Sequence, residues 1–371
     1  MATIFDYLEW RGDISFDSDP FNEVDNLILA ELAYTDLDGL VEENGNEVLI
    51  EEVRDRYFST HIREEILKDD SPIVRAPLLM DGMVTGRRFA GTKLSHYADI
   101  LDADKEIQMS AITYRLNDGS SYIAFRGTDN TLIGWKEDFN MSYLPETEGQ
   151  RLAIEYLNNS GATIKGKIRV GGHSKGGNFA VYASAFCRKS IRNRIECVYT
   201  NDGPGFRDEI MEKDEYRAVL PKVISIIPET SIIGMLLTSS VEHHVVKSNA
   251  SGFGQHDGMT WEVKRNRFVS AEPSDLGRFI RRTQRDWLSK IDDRTRESFV
   301  NTLFSLFAAT GKSSFGAMSD SKLKSAESII NAMQDLPKDK QRELLRLARE
   351  FLSSGGRTLF SERSDERKRP V

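Results

Sequence analysis

Gly172-His173-Ser174-Lys175-Gly176 has the G-x-S-x-G spacing that presents a nucleophilic serine. Its flanks supply the context such chemistry needs. Ile168 to Val170 reads as a β-branched strand running in, and Gly176-Gly177-Asn178-Phe179-Ala180 opens a helix behind it. A sharp strand–turn–helix strains the serine backbone and exposes its hydroxyl. Flanking glycines are needed because a Cβ there would strike the neighbouring strand or helix. The helix N-terminus then turns free N–H groups toward an oxyanion forming on the substrate. The competing reading of the same letters is an ordinary glycine-rich strand-to-helix turn.

From about residue 105 to 265 the chain resembles the class 3 (fungal-type) lipases. Those proteins carry G-H-S-x-G-G at this turn, matched here by His173-Ser174-Lys175-Gly176-Gly177 after Gly172. They also carry F-R-G-[ST] followed by W-x-x-D, matched by Phe125-Arg126-Gly127-Thr128 and Trp135-Lys136-Glu137-Asp138. The chain is similar as well to uncharacterised bacterial relatives of those lipases with a helical C-terminal extension. The resemblance implies an oxyanion hole formed by Thr128, through its backbone N–H and its hydroxyl, and by the backbone N–H of Lys175. It implies that Asp138 holds the Thr128 loop by hydrogen bonding. Lys175 departs from the pattern, which usually has an apolar residue there. Its charge either favours an anionic or polar substrate or points along the helix surface without a role.

A serine nucleophile needs a base, and α/β-hydrolases order the partners as Ser, acid, His. Three histidines follow Ser174. His243 and His244 are adjacent on an expected strand, so their side chains face opposite sides. His256 lies in the glycine-rich loop Ser251-Gly252-Phe253-Gly254-Gln255-His256-Asp257-Gly258, with Trp261 beyond it. A loop after the last strand is where a base reaches the turn, so His256 is the expected base. The alternative is a solvent-exposed loop histidine. The position aligned with the lipase acid is Ser231, which is not an acid. Asp202, at a strand end before Gly203-Pro204-Gly205, is the preferred substitute, and Glu229 is the alternative. With neither acid, a Ser–His dyad still reacts, because the third member orients the imidazole.

The elements that must position these residues alternate. Strands are expected at 107–116, 121–126, 167–171, 195–200, 222–227 and 242–247, with Asn117-Asp118-Gly119-Ser120 as a hairpin turn. Helices are expected at 148–158 and 176–189. Upstream, helices are expected at 20–36, 47–68 and around 94–100. After Pro273 the pattern gives four helices, at 275–290, 292–309, 321–335 and 338–353. Residues Ile232 to Leu237 read either as a substrate-facing lid or as a buried helix start.

This predicts an α/β-hydrolase fold, a mostly parallel sheet flanked by helices, with a helical C-terminal extension. The expected division is an N-terminal helical segment (1–104), the hydrolase core (105–272), a helical C-terminal region (273–355) and a charged, disordered tail (356–371). The 371 residues are 39% hydrophobic and 29% charged, a globular composition. A net charge of −8 gives no basic field for nucleic acid. No signal peptide or transmembrane run is read, and Cys187 and Cys197 make no disulfide framework, so the expected compartment is cytoplasmic. No phosphate loop or Cys/His metal spacing occurs, so neither cofactor nor metal is expected.

The expected function is a serine hydrolase acting on a small-molecule or lipid ester, in the manner of a lipase or esterase. A thioesterase, amidase or acyltransferase uses the same acyl-enzyme chemistry. A non-catalytic interaction protein of the same fold, binding a partner through its C-terminal helices, is the alternative from another class.

Overall fold

The computed structural model describes residues 1–350 apart from 70, 130, 236, 312–321 and 348. The chain divides into two compact units. One comprises Met1–Gly127 and Glu148–Pro273; the other comprises Thr128–Thr147 and the residues from Ser274 on.

The first unit holds an eight-stranded sheet. Its strands are β1 (Val48–Leu49), β2 (Lys93–Asp102), β3 (Ile107–Arg115), β4 (Ser121–Phe125), β5 (Ile168–His173), β6 (Ile195–Asn201), β7 (Val223–Pro228) and β8 (His243–Val246). They lie side by side in sequence order. β1 to β4 pair antiparallel and β4 to β8 pair parallel. The β3–β4 hairpin turns at Gly119, whose φ of 76° is left-handed.

Because the parallel strands never reverse their order, right-handed crossovers leave their helices on one face of the sheet. The helices Glu148–Thr163 and Lys175–Phe186 lie there, and Phe125 of β4 meets Tyr156 on that side. The opposite face needs cover from elsewhere, and the N-terminal 90 residues or so supply it. Tyr122, three residues from Phe125 and so on the other face, donates to the Asn26 side chain at 2.6 Å. Asn26 lies on the helix Glu23–Leu32, whose residues from Val24 on are all buried. Its N-cap Asn22 accepts from the backbone of Val24 and Asp25, and Asp25 reaches back to the Asn22 N–H. Arg88 closes the arrangement from the far end of the segment, its Nε donating to Asp25 at 2.7 Å in full burial.

Two upstream expectations are corrected. Residues 94–100 are not helical but form most of β2. A bulge between Ser95 and Ala98, with His96 at φ 54°, breaks the in–out alternation by which a strand is recognised. The expected helix 47–68 is broken into β1, the helix Ile50–Phe58 and the single turn Arg63–Ile66.

In the second unit the helices Leu132–Asn140, Asp275–Leu288, Asp293–Ala308 and Lys322–Asp335 are followed by helical backbone over 338–347. Leu132, Tyr143, Val300 and Phe304 make a small core of its own. Ser274 and Asp292 cap their helices, accepting from Gly277 and Thr295. Residues 351–353 of the last expected helix, and the tail 356–371, lie outside the described residues. No helix among the described residues is long and apolar enough to cross a membrane.

Candidate active site

Ser174 stands between β5 and the helix Lys175–Phe186 with φ 56° and ψ −132°, a conformation that L-residues rarely hold. The main chain holds it there. Its N–H donates to the Asn201 carbonyl at 2.9 Å, and its own carbonyl accepts from the Gly177 N–H at 2.9 Å. The close approach explains the glycines. A Cβ on Gly176 would lie 2.0 Å from the Phe125 carbonyl oxygen, and one on Gly172 would lie 2.4 Å from the backbone of Gly176. The end of β4 is thus pressed against the turn, and Gly127 brings its Cα within a Cβ's reach of Ser174.

Asp202 continues from β6, again with a left-handed φ, 49°. Its carboxylate is fully buried. Oδ1 accepts from the Ser231 hydroxyl and from the Gly234 N–H at 3.2 Å. Oδ2 faces His256 Nδ1 at 2.6 Å, and His256 Nε2 faces Ser174 Oγ at 3.0 Å. With the ring in its neutral form, Nδ1–H donates to the carboxylate and Nε2 accepts from the serine hydroxyl. The structure brings Ser174, His256 and Asp202 into one hydrogen-bonded chain. Glu229 stands at the end of β7 with its N–H on the Val246 carbonyl, and the acid bonded to His256 is Asp202. Ser231, the position aligned with the lipase acid, is instead a hydrogen-bond donor to Asp202.

The other two histidines point away on opposite sides of β8. His243 pairs with Ser225 at 2.8 Å, and His244 lies between Glu23 and Ser270 at 3.1 Å each. The segment Ile233 to Met235 is buried but irregular rather than helical. Lys175 follows neither expectation held for it. Its side chain is fully buried, and Nζ donates to the Gln108 carbonyl at 2.8 Å. It neither lies along the surface nor presents a cation to solvent.

Around His256 the chain runs as a short 3-10 segment, Gly252–His256. Gln255 fixes it, its Oε1 accepting from the Thr230 N–H at 2.7 Å and its backbone carbonyl accepting from Trp261 Nε1 at 2.9 Å. Exposed Phe253 places its ring 5.9 Å from the imidazole. His173 lies beneath, with Nε2 2.7 Å from the His256 carbonyl and Nδ1 2.9 Å from the Tyr34 hydroxyl. Burial, with the His256 ring beside it, pushes His173 down to about 3, so its ring is neutral. Burial also holds the Glu31 carboxyl well above the usual range, and nearby Asp257 adds to this. Sequence reasoning missed the contact of Tyr34 with His173 and that of His173 with the His256 backbone. Both contacts span more than eighty residues of chain, and no local pattern reports that.

In the second unit the Thr128 hydroxyl donates to Asp138, and Asp138 lies on the helix Leu132–Asn140. Thr131 caps that helix, accepting from the Gly134 N–H at 3.1 Å. Among the described residues no group of three or more acidic, histidine or cysteine side chains is placed to hold a metal ion.

The family model described as Mbeg1-like matches residues 83–305, more than half of the chain. Among solved structures, the crystal structure of M37 lipase is similar at 14% identity and a TM-score of 0.35, over 56% of this chain and 68% of that one. No curated protein matches.

Proposed function

We propose that this chain, which belongs to the lipase-like Mbeg1-like family, is a serine hydrolase that cleaves a carboxylic ester through an acyl-enzyme on Ser174. The observation that carries the reading is the hydrogen-bonded sequence Ser174–His256–Asp202 beside a strained strand-to-helix turn. In this reading Ser174 Oγ attacks the ester carbonyl carbon while its proton passes to His256 Nε2. Asp202 keeps the imidazole in the tautomer that accepts this proton and stabilises the imidazolium. The oxyanion takes the backbone N–H of Lys175, and the resemblance to class 3 lipases gives the second donor to Thr128, whose hydroxyl Asp138 holds. Collapse expels the alcohol, which takes the proton from His256. Water then hydrolyses the acyl-enzyme by the same steps. Phe253, exposed beside the base, offers an apolar contact to the acyl or alcohol group. The resemblance to class 3 lipases supports an ester over other acyl donors.

The test is labelling by a fluorophosphonate together with turnover of p-nitrophenyl esters of increasing chain length, with thioester and amide analogues alongside. Wild-type protein should label and turn over esters fastest. Ser174→Ala should lose both with its fold intact, a fall of at least about 10³-fold. Labelling that survives the substitution removes Ser174 as the nucleophile. A wild-type protein that neither labels nor turns over any acyl donor favours the non-catalytic alternative.

A further inference from the structure

The hydrogen bonds around His173, together with its burial, set its protonation pattern. The His256 carbonyl can only accept, so the His173 Nε2 that faces it at 2.7 Å carries the hydrogen. The ring is neutral, so Nδ1 is bare and must itself accept. The group facing it is the Tyr34 hydroxyl at 2.9 Å. The nearest carboxyl, Glu31, stands 3.8 Å from Nδ1 and has no oxygen in hydrogen-bond reach of it. Tyr34 follows the buried helix Glu23–Leu32, which packs on β4 and β5. Its hydroxyl also abuts the end of β4, where a Cβ on Gly127 would lie 2.1 Å from it.

We propose that Tyr34 and His173 are a positioning pair for the general base, Tyr34 selecting the His173 tautomer that holds the His256 backbone in place. The proposal rests on the reading of His256 as the base and adds two residues to it. Without the tyrosine hydroxyl, the bare Nδ1 would be buried and unpaired. The proton could then move to Nδ1, toward the buried, unpartnered Glu31 oxygen 3.8 Å away, leaving a lone pair on Nε2 against the carbonyl lone pairs. The tie to the base loop would become a repulsion. Neither residue hydrogen-bonds to the reacting atoms. Their effect reaches the chemistry through the His256 backbone carbonyl and through the His173 ring, whose centroid lies 4.6 Å from that of the His256 ring.

Glutamine supplies the discriminating substitution. Its amide N–H can donate to the His256 carbonyl while its amide oxygen accepts from Tyr34, and an amide has no tautomer to lose. The measurement is kcat and KM for p-nitrophenyl butyrate, with fluorophosphonate labelling rates and melting curves, on the full chain. His173→Leu should lower kcat and the labelling rate by about tenfold or more, with KM changed by less than about twofold. His173→Gln should restore the rate to within about threefold of wild type. Tyr34→Phe should cost about three- to tenfold in the wild-type background and less than about twofold in the His173→Gln background.

If leucine and glutamine at 173 reduce the rate equally, the histidine serves packing alone and the proposal is overturned. It is overturned equally if Tyr34→Phe costs the same in both backgrounds. Should His173→Leu fail to fold, the two Tyr34→Phe measurements still decide. A wild-type chain without labelling or turnover overturns the hydrolase reading and this inference together. An active wild type with the wrong variant pattern overturns the inference alone.

Discussion

Ser174 and His256 stand 3.0 Å apart, yet the chain holds them by different means. Main chain holds the serine: a strand enters, a helix leaves, two glycines admit the neighbouring backbone, and Asn201 and Gly177 bond its amide and carbonyl. Side chains hold the histidine: Asp202 on its ring, His173 on its carbonyl, and Gln255 just before it, whose side chain accepts from the Thr230 N–H and whose carbonyl accepts from Trp261. A main-chain device has few intermediate states, because a clash with backbone cannot be relieved by a rotamer. A side-chain device can be weakened one contact at a time. The Ser174 turn should therefore fail as a whole, and the His256 loop by degrees.

The severest test of that contrast is Gly176→Ala. The added methyl would fall 2.0 Å from the Phe125 carbonyl, so β4 and the helix must separate. We expect a loss of about 3 kcal/mol or more, read as a lowered urea midpoint, together with loss of fluorophosphonate labelling. A variant that unfolds and labels like wild type would show that the turn has room to yield, and the contrast would fall.

What the sequence makes legible follows the same division. The turn around Ser174 is written in six consecutive residues, because backbone strain and close approach demand glycine at fixed positions. The strands from β3 to β8 are legible for a related reason, since each is a short apolar run between turn residues. β2 is hidden because the bulge at His96 shifts its alternation by one residue and mimics a helical period. The base loop is only half legible. His256 stands out by its place after the last strand, but what holds it does not. Asp202 and Glu229 each end a strand, and the choice between them depends on which strand end faces the loop. Ser231, at the position aligned with the lipase acid, donates its hydroxyl to Asp202 instead. Tyr34 and His173 are joined across 139 residues of chain.

The acid allows a sharper cut within the base loop's side-chain contacts. Asp202→Asn keeps the shape and the bond from Ser231 but cannot stabilise an imidazolium or fix its tautomer as a carboxylate does. We expect kcat to fall by about 10² to 10⁴-fold with KM nearly unchanged. Glu229→Gln should cost less than about tenfold, since the acid bonded to His256 is Asp202. Comparable losses in the two variants would mean that the loop can turn its histidine to either strand end, and that the side-chain tie is looser than the distances imply.

The smallest expected effect lies one strand over, where His244 offers a histidine tie outside the proposed catalytic residues. It links β8 to Glu23 at the start of the buried N-terminal helix, and Glu23 also accepts from the Phe268 N–H at 2.8 Å. The hydrogen bond and charge of Glu23 raise His244 above its ordinary value of 6.5, outweighing the opposing effect of partial burial. A raised folded-state value means that the native chain binds the proton more tightly than the unfolded one. The added stability is fully present below about pH 6.5 and disappears as the pH rises through the folded-state value. Glu23→Gln keeps a neutral hydrogen bond to the ring and the acceptor for Phe268 while removing the charge. Its melting temperature should fall below that of wild type at pH 5.5 and approach it at pH 9, with the ester turnover per labelled site unchanged at both. A gap that widens toward pH 9 would reverse the sign of the linkage. A loss of turnover at either pH would mean that this strand and the base loop are mechanically joined, so that the ties on His244 and His256 could no longer be treated as separate.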